Sequence, residues 1–393
     1  MNTALLVLIL SLTQAQVEEP NQSASLLEAI FDSKPKRYDK VIDAAEARRV
    51  QVLVTQIGTR EDPRALVRHS FRVGAEYLYP ASALKPAAAI AAILRAERAR
   101  DKDSPPLRLK DPLRLTPLLE GDEARTTSLA AAIRKTLIVS SNRAYNALYE
   151  VAGQERLNRY MWQAGLKDVR LSHRLSRVLS IEDNRRSAAW SIGQGKHKIS
   201  APVELSTLDL TNRISQKMQV GQRYIKAGKL VEEPLDFSQK NHMGIRSLQD
   251  MLILLVRPEL KHGLIPFPLR EGHREALVDA LTTLPHESAW PTWSRATYDP
   301  YRFKPFLRGL ERVQALNTLR VVSKAGKAYG FRVDNAYIED RATGRAFLLT
   351  AGLHVDMDGT LNDDRYDYEL ADEFLANLVE DVARRLLQRA QRP

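Results

Sequence analysis

The chain has 393 residues, of which 44% are hydrophobic, and a formal net charge of +11, so it is long and apolar enough for one large domain or two. It contains no cysteine, which excludes disulfides, thiolate metal sites, a cysteine nucleophile and a lipoprotein anchor. The positive charge fits an anionic partner or simply a basic surface, and without a Lys/Arg run interleaved with aromatics we expect no nucleic-acid binding.

The N-terminal segment predicts export. Residues 4–12 are an apolar run too short for a membrane span, which needs about 20 residues. Thr13 and Ala15 are small residues that fit a signal-peptidase site with cleavage after Ala15, although no Lys or Arg precedes the run. We expect a signal peptide at 1–15, a polar linker at 16–23 and a periplasmic or secreted protein; a buried N-terminal helix is the alternative.

Further along, the spacing of apolar residues predicts alternating helices and strands. The predicted helices are 26–31, 38–48, 128–139, 143–151, 155–163, 247–256, 271–282 and 372–389. The predicted strands are 50–57, 65–73, 316–323, 330–339 and 346–354, the last three joined by short turns and therefore antiparallel. Residues 101–126 are predicted as loop, and residues 183–241 give no readable pattern.

Residues 79–94 carry the first candidate chemistry. A turn delivers Ser82 to the start of an Ala-rich apolar helix, and Lys85 follows three residues later. Residues i and i+3 share a helix face, so the Lys85 amine can reach the Ser82 hydroxyl. A lysine held neutral takes the proton of an alcohol and makes it nucleophilic. A second Ser-x-x-Lys begins at Ser33 without an apolar helix behind it, so Ser82 is the candidate nucleophile.

Two further stretches offer the other groups that acyl transfer needs. The Ser-Ser-Asn at 140–142 supplies two hydroxyls and an amide between two predicted helices. The Lys-Ala-Gly at 324–326 follows a strand, where the glycine lets a substrate lie against the strand edge. A positive charge on Lys324 would help to keep Lys85 neutral, because a like charge lowers the pKa of an amine. A second Lys-Ala-Gly, at Lys226, lacks the strand pair and closing helix that follow Lys324.

In these three motifs the sequence resembles the serine β-lactamase and penicillin-binding protein superfamily, most closely the class A β-lactamases. The order of the motifs and the gap between Ser82 and Ser140 are typical of class A. The resemblance covers residues 24–390.

The resemblance implies an α+β fold of three layers, with an antiparallel five-stranded sheet flanked by helices. It also implies an all-α lobe at about 86–310 that carries an extended insertion at about 183–241. Residues 24–393 would then form one hydrolase domain, and we expect a monomer.

The implied activity is that of an exported serine hydrolase that opens a β-lactam or a peptidoglycan-like amide through an acyl-enzyme, with a part in β-lactam breakdown and antibiotic response. Ser82 would attack the carbonyl, with Lys85 as general base. Ser140 would pass a proton to the leaving nitrogen. Asn142 would orient Lys85 and the substrate amide, and Lys324 would steady the substrate carboxylate.

The same resemblance implies the substrate-binding residues. The backbone N–H groups of Ser82 and Lys327 would form the oxyanion hole, and Ala325 and Gly326 would line the substrate. Arg332, on the following strand, either reaches a substrate carboxylate or points outward into solvent. No cofactor and no metal is implied.

The sequence departs from the class A pattern in three ways, and these departures leave alternative functions open. Ser141 stands where Asp is usual, and Ala325 replaces the usual Thr or Ser, which removes a hydroxyl that binds the β-lactam carboxylate. Class A enzymes deacylate with a Glu after the second motif, but residues 169–176 contain none. Glu182 is the nearest carboxylate and a possible deacylating residue. A D-alanyl-D-alanine peptidase, or a non-catalytic cell-wall binding module of the same fold, are therefore the alternative functions.

Two other signals compete with this interpretation. Residues 348–361 resemble the nucleophile motif of haloacid-dehalogenase-type phosphatases, but too few residues follow for that fold. We expect an Asp/Gly turn before the closing helix instead. His173 lies near the predicted site, where a structural hydrogen bond is favoured over contact with substrate.

Overall fold

The computed structural model describes residues 26–58, 62–101, 105–119, 122–195, 198–213 and 217–388. The predicted signal peptide and linker, residues 1–23, lie outside the described residues. Within those ranges, no helix is long and apolar enough to cross a membrane.

The strands form one large antiparallel sheet and several small ones. In chain order they are β1 Gln51–Ile57, β2 Leu66–Phe71, β3 Pro112–Leu115, β4 Arg125–Ser128, β5 Arg186–Ser187, β6 Trp190–Ile192, β7 Ile199–Ala201, β8 Glu204–Leu205, β9 Gln219–Val220, β10 Arg223–Lys226, β11 Lys229–Val231, β12 Leu235–Asp236, β13 Leu319–Ser323, β14 Gly326–Ala328, β15 Phe331–Asp340, β16 Ala346–His354 and β17 Thr360–Leu361. The large sheet has the order β13-β15-β16-β1-β2, and β14 also pairs with β15. The predicted five strands are therefore present, and β14 adds a short sixth.

The helices match the predicted apolar segments closely. In chain order they are α1 Leu26–Ser33, α2 Pro35–Ile42, α3 Lys85–Arg98, α4 Leu129–Leu137, α5 Asn142–Ala152, α6 Gln154–Gln163, α7 Ile181–Arg185, α8 Ile245–Val256, α9 Glu271–Thr282, α10 Pro300–Phe303, α11 Phe306–Glu311 and α12 Tyr368–Leu386. The prediction for 38–48 is wrong in its bounds, because α2 starts at Pro35, a residue suited to the first helical position, and residues 43–49 are turns.

Helices cover both faces of the large sheet. Successive side chains of a strand point to opposite faces, so Val52 and Val54 pack with Phe374 of α12 in one core. Leu53 lies between them in sequence and packs in a second core, which contains the alanine-rich face of α3 and residues of α8. The result is the predicted three-layer arrangement.

The lobe between β2 and β13 is not all-α, as the resemblance implied. It contains a four-stranded sheet of order β4-β3-β6-β7, and part of it lies in residues 101–126, which were predicted as loop. Leu113 and Leu115 are buried on either side of the exposed Arg114, but four residues of alternation after Pro112 are too few to stand out in the sequence.

The insertion at 183–241 contains short strands. Strand β10 pairs with β11 in an antiparallel hairpin and with β17 in parallel, which ties the insertion to the Asp-rich segment after β16. That segment links β16 to α12 through an isolated bridge between Asp356 and Tyr366, so the phosphatase-like motif forms a turn, as expected.

Candidate active site

Ser82 lies on a 3-10 turn, Ala81–Leu84, directly before α3. Ala81 has a φ of 46°, and this tight turn brings the backbone of Ser82 against β14. A Cβ atom added to Gly326 would lie 2.3 Å from the carbonyl oxygen of Pro80 and 2.9 Å from the backbone nitrogen of Ser82. Only glycine therefore lets the strand edge lie beside the candidate nucleophile.

The Lys85 amine is buried among groups of the second motif. The side chain is 0% exposed, and Nζ lies within hydrogen-bond distance of Asn142 Oδ1 (2.7 Å), Ser140 Oγ (3.1 Å) and the Ser140 carbonyl oxygen. Burial, followed by the like charge of Lys324, holds the pKa of Lys85 well below its ordinary value. The amine is thus disposed to be neutral and to accept a proton.

These hydrogen bonds differ from the one that the sequence predicts. The i to i+3 spacing predicts a bond between Lys85 and the Ser82 hydroxyl, but the bonds of the Lys85 amine go to the second motif. The physical reason is that Ser82 precedes the first turn of α3, while Ser140 and Asn142 offer three oxygens to the buried amine.

The second motif holds its groups toward Lys85 because its middle residue caps a helix. Ser141 is the N-cap of α5, and its hydroxyl accepts a hydrogen bond from the Ala144 backbone N–H at 3.3 Å. Ser140 has a φ of 58°, a left-handed backbone conformation just before the cap. The hydroxyl of Ser140 and the amide of Asn142 therefore both face Lys85.

Lys324 approaches Ser140 from the sheet. It is 3% exposed, and its Nζ donates to Ser140 Oγ (3.0 Å) and to the Ala325 carbonyl oxygen (2.9 Å). Burial first, and then the nearby charge of Lys304, lowers the pKa of Lys324 to about 7. The Ser140 hydroxyl thus contacts both buried amines, Lys85 and Lys324, which is the arrangement that proton transfer through Ser140 requires.

A buried pair beneath Lys324 was not predicted from the sequence. Lys304 Nζ donates to Ser323 Oγ (3.2 Å), and the carboxylate of Asp334 accepts from the backbone N–H groups of Phe306 (3.2 Å) and Asn335 (2.9 Å). Burial lowers the pKa of Lys304 to about 8 and raises that of Asp334 to about 6. In the sequence, the one sign of this buried pair was Asp334, an acidic residue within the apolar run of β15. No sequence pattern indicated that Lys304 would be buried.

A cavity of about 640 Å³ opens beside Ser82 and is bounded by Asn142, Ser176 and Lys327. Of the predicted substrate-binding residues, Lys327 lines this cavity. Ala325 is buried, and Gly326 packs against the Ser82 turn. Ser82 of the first motif, Asn142 of the second and Lys327 of strand β14 therefore meet at one pocket.

Arg332 does not reach this pocket, which corrects its predicted contact with a substrate carboxylate. The side chain is 2% exposed, and its Nε donates to Asp372 Oδ1 of α12 at 2.6 Å. A second nitrogen donates to the Arg302 carbonyl oxygen at 3.2 Å. Both alternatives for Arg332 fail, since it is neither solvated nor free to bind an anion, and it ties the sheet to α12.

Glu182 is not placed for deacylation. It lies on α7 with its side chain exposed, outside the residues that bound the pocket. The residue that faces Asn142 from this segment is Ser176, whose hydroxyl accepts a hydrogen bond from Asn142 Nδ2 at 2.5 Å. Its position could not be predicted without knowing how residues 169–186 fold.

A buried ion pair fixes that segment. Arg174 is 1% exposed, and its Nε and Nη2 donate to the two carboxylate oxygens of Glu150 on α5 at 2.6 and 2.9 Å. The same guanidinium donates to the carbonyl oxygens of Asp183 (3.0 Å) and Arg186 (2.6 Å). The segment that carries Ser176 is thus anchored to the helix that carries Asn142.

His173 makes the structural hydrogen bond that was favoured, and it also bounds the pocket. Its Nδ1 lies 2.6 Å from the Arg174 carbonyl oxygen, and burial lowers its pKa to about 4. No group of three or more His, Asp or Glu side chains in the described ranges is arranged to hold a metal ion.

Comparisons with known proteins concern the family and the fold. Residues 35–217 match the model of the beta-lactamase enzyme family. No curated protein matches the chain in sequence.

Several solved structures share the fold over nearly the whole chain. A β-lactamase from Burkholderia vietnamiensis is 12% identical, covers 94% of this chain and 99% of its own, and has a TM-score of 0.52. A β-lactamase from Xanthomonas campestris is 15% identical, with 93% and 100% covered and a TM-score of 0.51. One from Desulfarculus baarsii is 15% identical, with 91% and 98% covered and a TM-score of 0.50.

At these identities, the likeness establishes the fold. The chain has the fold of the serine β-lactamases, and the predicted fold class is confirmed. The resemblance to the serine β-lactamase and penicillin-binding protein superfamily, which the three motifs predicted, is confirmed by the family match together with the shared fold.

Proposed function

We propose that the chain is an exported serine hydrolase of the class A β-lactamase type, which opens a β-lactam or a related cell-wall amide through an acyl-enzyme on Ser82. The observation that carries this proposal is the fully buried Lys85 amine, with its lowered pKa, hydrogen-bonded to Ser140 and Asn142. Export rests on the predicted signal peptide at 1–15, and residues 24–393 are proposed as one catalytic unit.

The proposed acylation uses the groups of the three motifs. The neutral amine of Lys85 takes the proton of Ser82 as its Oγ attacks the carbonyl carbon. The backbone N–H groups of Ser82 and Lys327 stabilise the resulting oxyanion. As the C–N bond breaks, Ser140 gives its proton to the leaving nitrogen and regains one from the protonated Lys85. Lys324, 3.0 Å from Ser140 Oγ, steadies this hydroxyl and the carboxylate of the substrate.

For deacylation, the site lacks an evident general base among the described residues. Hydrolysis of the ester needs a base for water, and the side chain that faces Asn142 from the anchored segment is the hydroxyl of Ser176. A hydroxyl does not accept a proton near neutral pH, so we expect a long-lived acyl-enzyme. This observation favours the second candidate function, a D-alanyl-D-alanine peptidase of the penicillin-binding type.

Labelling with a fluorescent penicillin tests the proposal. The wild type should give a covalent band and Ser82→Ala none. Ser33→Ala, which removes the other Ser-x-x-Lys serine, should label like the wild type. Rapid hydrolysis of nitrocefin would show a β-lactamase, and a stable band without turnover would show the penicillin-binding type. A wild type that forms no adduct and turns over no nitrocefin would contradict acylation by β-lactams.

A further inference from the structure

The pocket continues beyond Ser82 along the edge of β14. Gly326 packs against the backbone of Ser82, and Tyr329 follows three residues later, in the turn between β14 and β15. Both Ser82 and Tyr329 bound the same cavity. Lys324 lies before Gly326 in the chain, so Lys324 and Tyr329 mark the two opposite directions along this substrate-binding edge.

A lysine amine lies at the Tyr329 end of the pocket. Lys240 Nζ is 3.4 Å from the Tyr329 hydroxyl and 5.3 Å from the centre of its ring. Lys240 bounds the pocket, and among the described residues the structure forms no ion pair between its amine and a carboxylate. The Lys327 amine lies instead over the Tyr368 ring of α12, 4.0 Å from its centre, where the charges of Arg332, Asp372 and Arg302 act on it.

The aromatic partner of Lys240 is held in place. The Tyr329 ring packs edge-on against Tyr79 and Phe237, with ring centres 5.5 Å apart in each pair. The Tyr329 ring that contacts Lys240 is therefore fixed by packing, and this contact holds the Lys240 amine at the pocket.

The carboxylates of the pocket do not neutralise the Lys240 amine. Asp209 is paired with Arg213 at 2.9 Å. Asp364 lies in a turn with a φ of 64°, and in the described part of the chain no ion pair joins it to Lys240 or Lys327. The Tyr329 end of the pocket thus holds positive charge that a bound ligand can satisfy.

We propose that Lys240 forms an anion subsite at the Tyr329 end of the pocket, which selects substrates with a carboxylate on the acyl side. This inference rests on the proposed function, because it requires that the acyl group transferred to Ser82 lies along β14. Lys324 faces the leaving-group side, so the preferred substrate carries two acidic groups, one on each side of the bond that breaks.

Two penicillins that differ by one carboxylate test the subsite. Carbenicillin is benzylpenicillin with an added carboxylate on the acyl side chain. The second-order rate constant for acylation, followed by intact-protein mass spectrometry, should be about fivefold higher for carbenicillin, as expected for one partly exposed charge pair. High salt should reduce this preference, because it screens exposed charges.

Variants distinguish the subsite from the general basicity of the chain. Lys240→Gln should bring the carbenicillin to benzylpenicillin ratio to about one. Lys229→Gln removes the same charge from an exposed residue of the β10–β11 hairpin and should leave the ratio at its wild-type value. Equal rates for the two penicillins, or a preference that survives in Lys240→Gln, would overturn the subsite while leaving acylation at Ser82 intact.

A binding measurement keeps the inference testable without acylation. Phenylmalonate and phenylacetate are the free acyl-side fragments of the two penicillins. Phenylmalonate should raise the melting temperature of the wild type more than phenylacetate does, and Lys240→Gln should lose the difference. Failure of both penicillins to acylate, together with this shift, would overturn the proposed function and support the subsite; no difference between the fragments would overturn the subsite itself.

Discussion

The Ser140 hydroxyl lies between two buried amines, 3.1 Å from Lys85 Nζ and 3.0 Å from Lys324 Nζ. Both amines have lowered pKa values, and burial is the largest cause for each. Because Lys324 titrates near pH 7, its charge and its hold on a substrate carboxylate depend on pH within the working range of most proteins.

The first prediction concerns this titration. Lys324 is charged below about pH 7 and loses its proton above it. The second-order rate constant for acylation by benzylpenicillin should therefore fall above pH 7, by at most about tenfold per unit. The limiting first-order rate should not fall, since burial is the largest cause of the lowered pKa of Lys85 and a higher pH favours the neutral amine. Stopped-time mass spectrometry between pH 6 and 9 measures both constants.

An uncharged substrate provides the control for that profile. The methyl ester of benzylpenicillin has no carboxylate for Lys324 to bind, so its second-order constant should stay level across the same range. A parallel decline for the acid and the ester would show that Lys324 does not act by binding the carboxylate.

The second prediction concerns Ser176, whose hydroxyl contacts Asn142. Ser176→Glu places a carboxylate where a base for the deacylating water is missing, so the half-life of the acyl-enzyme should shorten by at least about tenfold. Ser176→Gln has the same size without the charge and should leave the half-life long. The decay of the fluorescent penicillin adduct measures both, and equal half-lives would show that the missing carboxylate does not limit deacylation.

At the scale of elements, the segment 169–186 depends on one ion pair. Arg174 and Glu150 are held by two hydrogen bonds, and removing one member leaves the other charge buried. The third prediction is that Arg174→Met lowers the free energy of unfolding by about 3–5 kcal/mol and slows acylation, because Asn142 loses its Ser176 contact. Urea unfolding, with labelling by fluorescent penicillin, measures the two effects.

An exposed ion pair is the matched control for Arg174. Arg159 pairs with Glu155 one turn away on α6 at 2.8 Å, with half of the arginine side chain exposed. Arg159→Met should cost about 0.5 kcal/mol or less. If the two variants lose similar amounts of stability, the anchoring role of Arg174 is wrong.

The helices and strands that were predicted correctly, and those that were missed, show how far the sequence predicts this structure. Long apolar periods predicted α8 and α9 well, and the order of the three motifs predicted that Ser82, Ser140 and Lys324 share one site. The short strands of the lobe were missed, because two to four residues carry too little alternation to be recognised. The contact between Ser176 and Asn142 depends on the path of a loop, and no local pattern specifies that path.

At the scale of the whole molecule, cations are concentrated beneath the site. Lys304, Lys324 and Arg332 are buried near Asp334, whose pKa is raised by burial to about 6, and Lys85 is buried near Lys324. Composition gave the net charge of +11 but not this distribution, since burial of a lysine depends on residues far apart in the sequence. The depressed amine pKa values that favour a neutral base thus come at the expense of stability.

The fourth prediction follows from proton binding. The pKa values of Lys324 and Lys304, about 7 and about 8, lie below the ordinary value of 10.5. Between the folded and ordinary values, the unfolded chain binds more protons, so raising the pH favours folding. Asp334 is already ionised there and adds no slope. The melting temperature should therefore rise by a few degrees between pH 7 and 9.

Lys304→Met tests the origin of that rise. The variant removes one of the buried amines with a lowered pKa, so its melting temperature should rise less steeply with pH than that of the wild type. Lys229→Met, an exposed lysine on the hairpin, should keep the wild-type slope. A melting temperature that falls from pH 7 to 9 in the wild type would contradict the electrostatic account.

The central claim, an acyl-enzyme on Ser82, is tested most directly by the mass of the intact protein after exposure to benzylpenicillin, with peptide mapping of the product. We predict that one drug molecule is added, that the adduct maps to the peptide containing Ser82, and that it persists after removal of free drug. An unchanged mass with the drug left intact, or an adduct on another peptide, would contradict the claim.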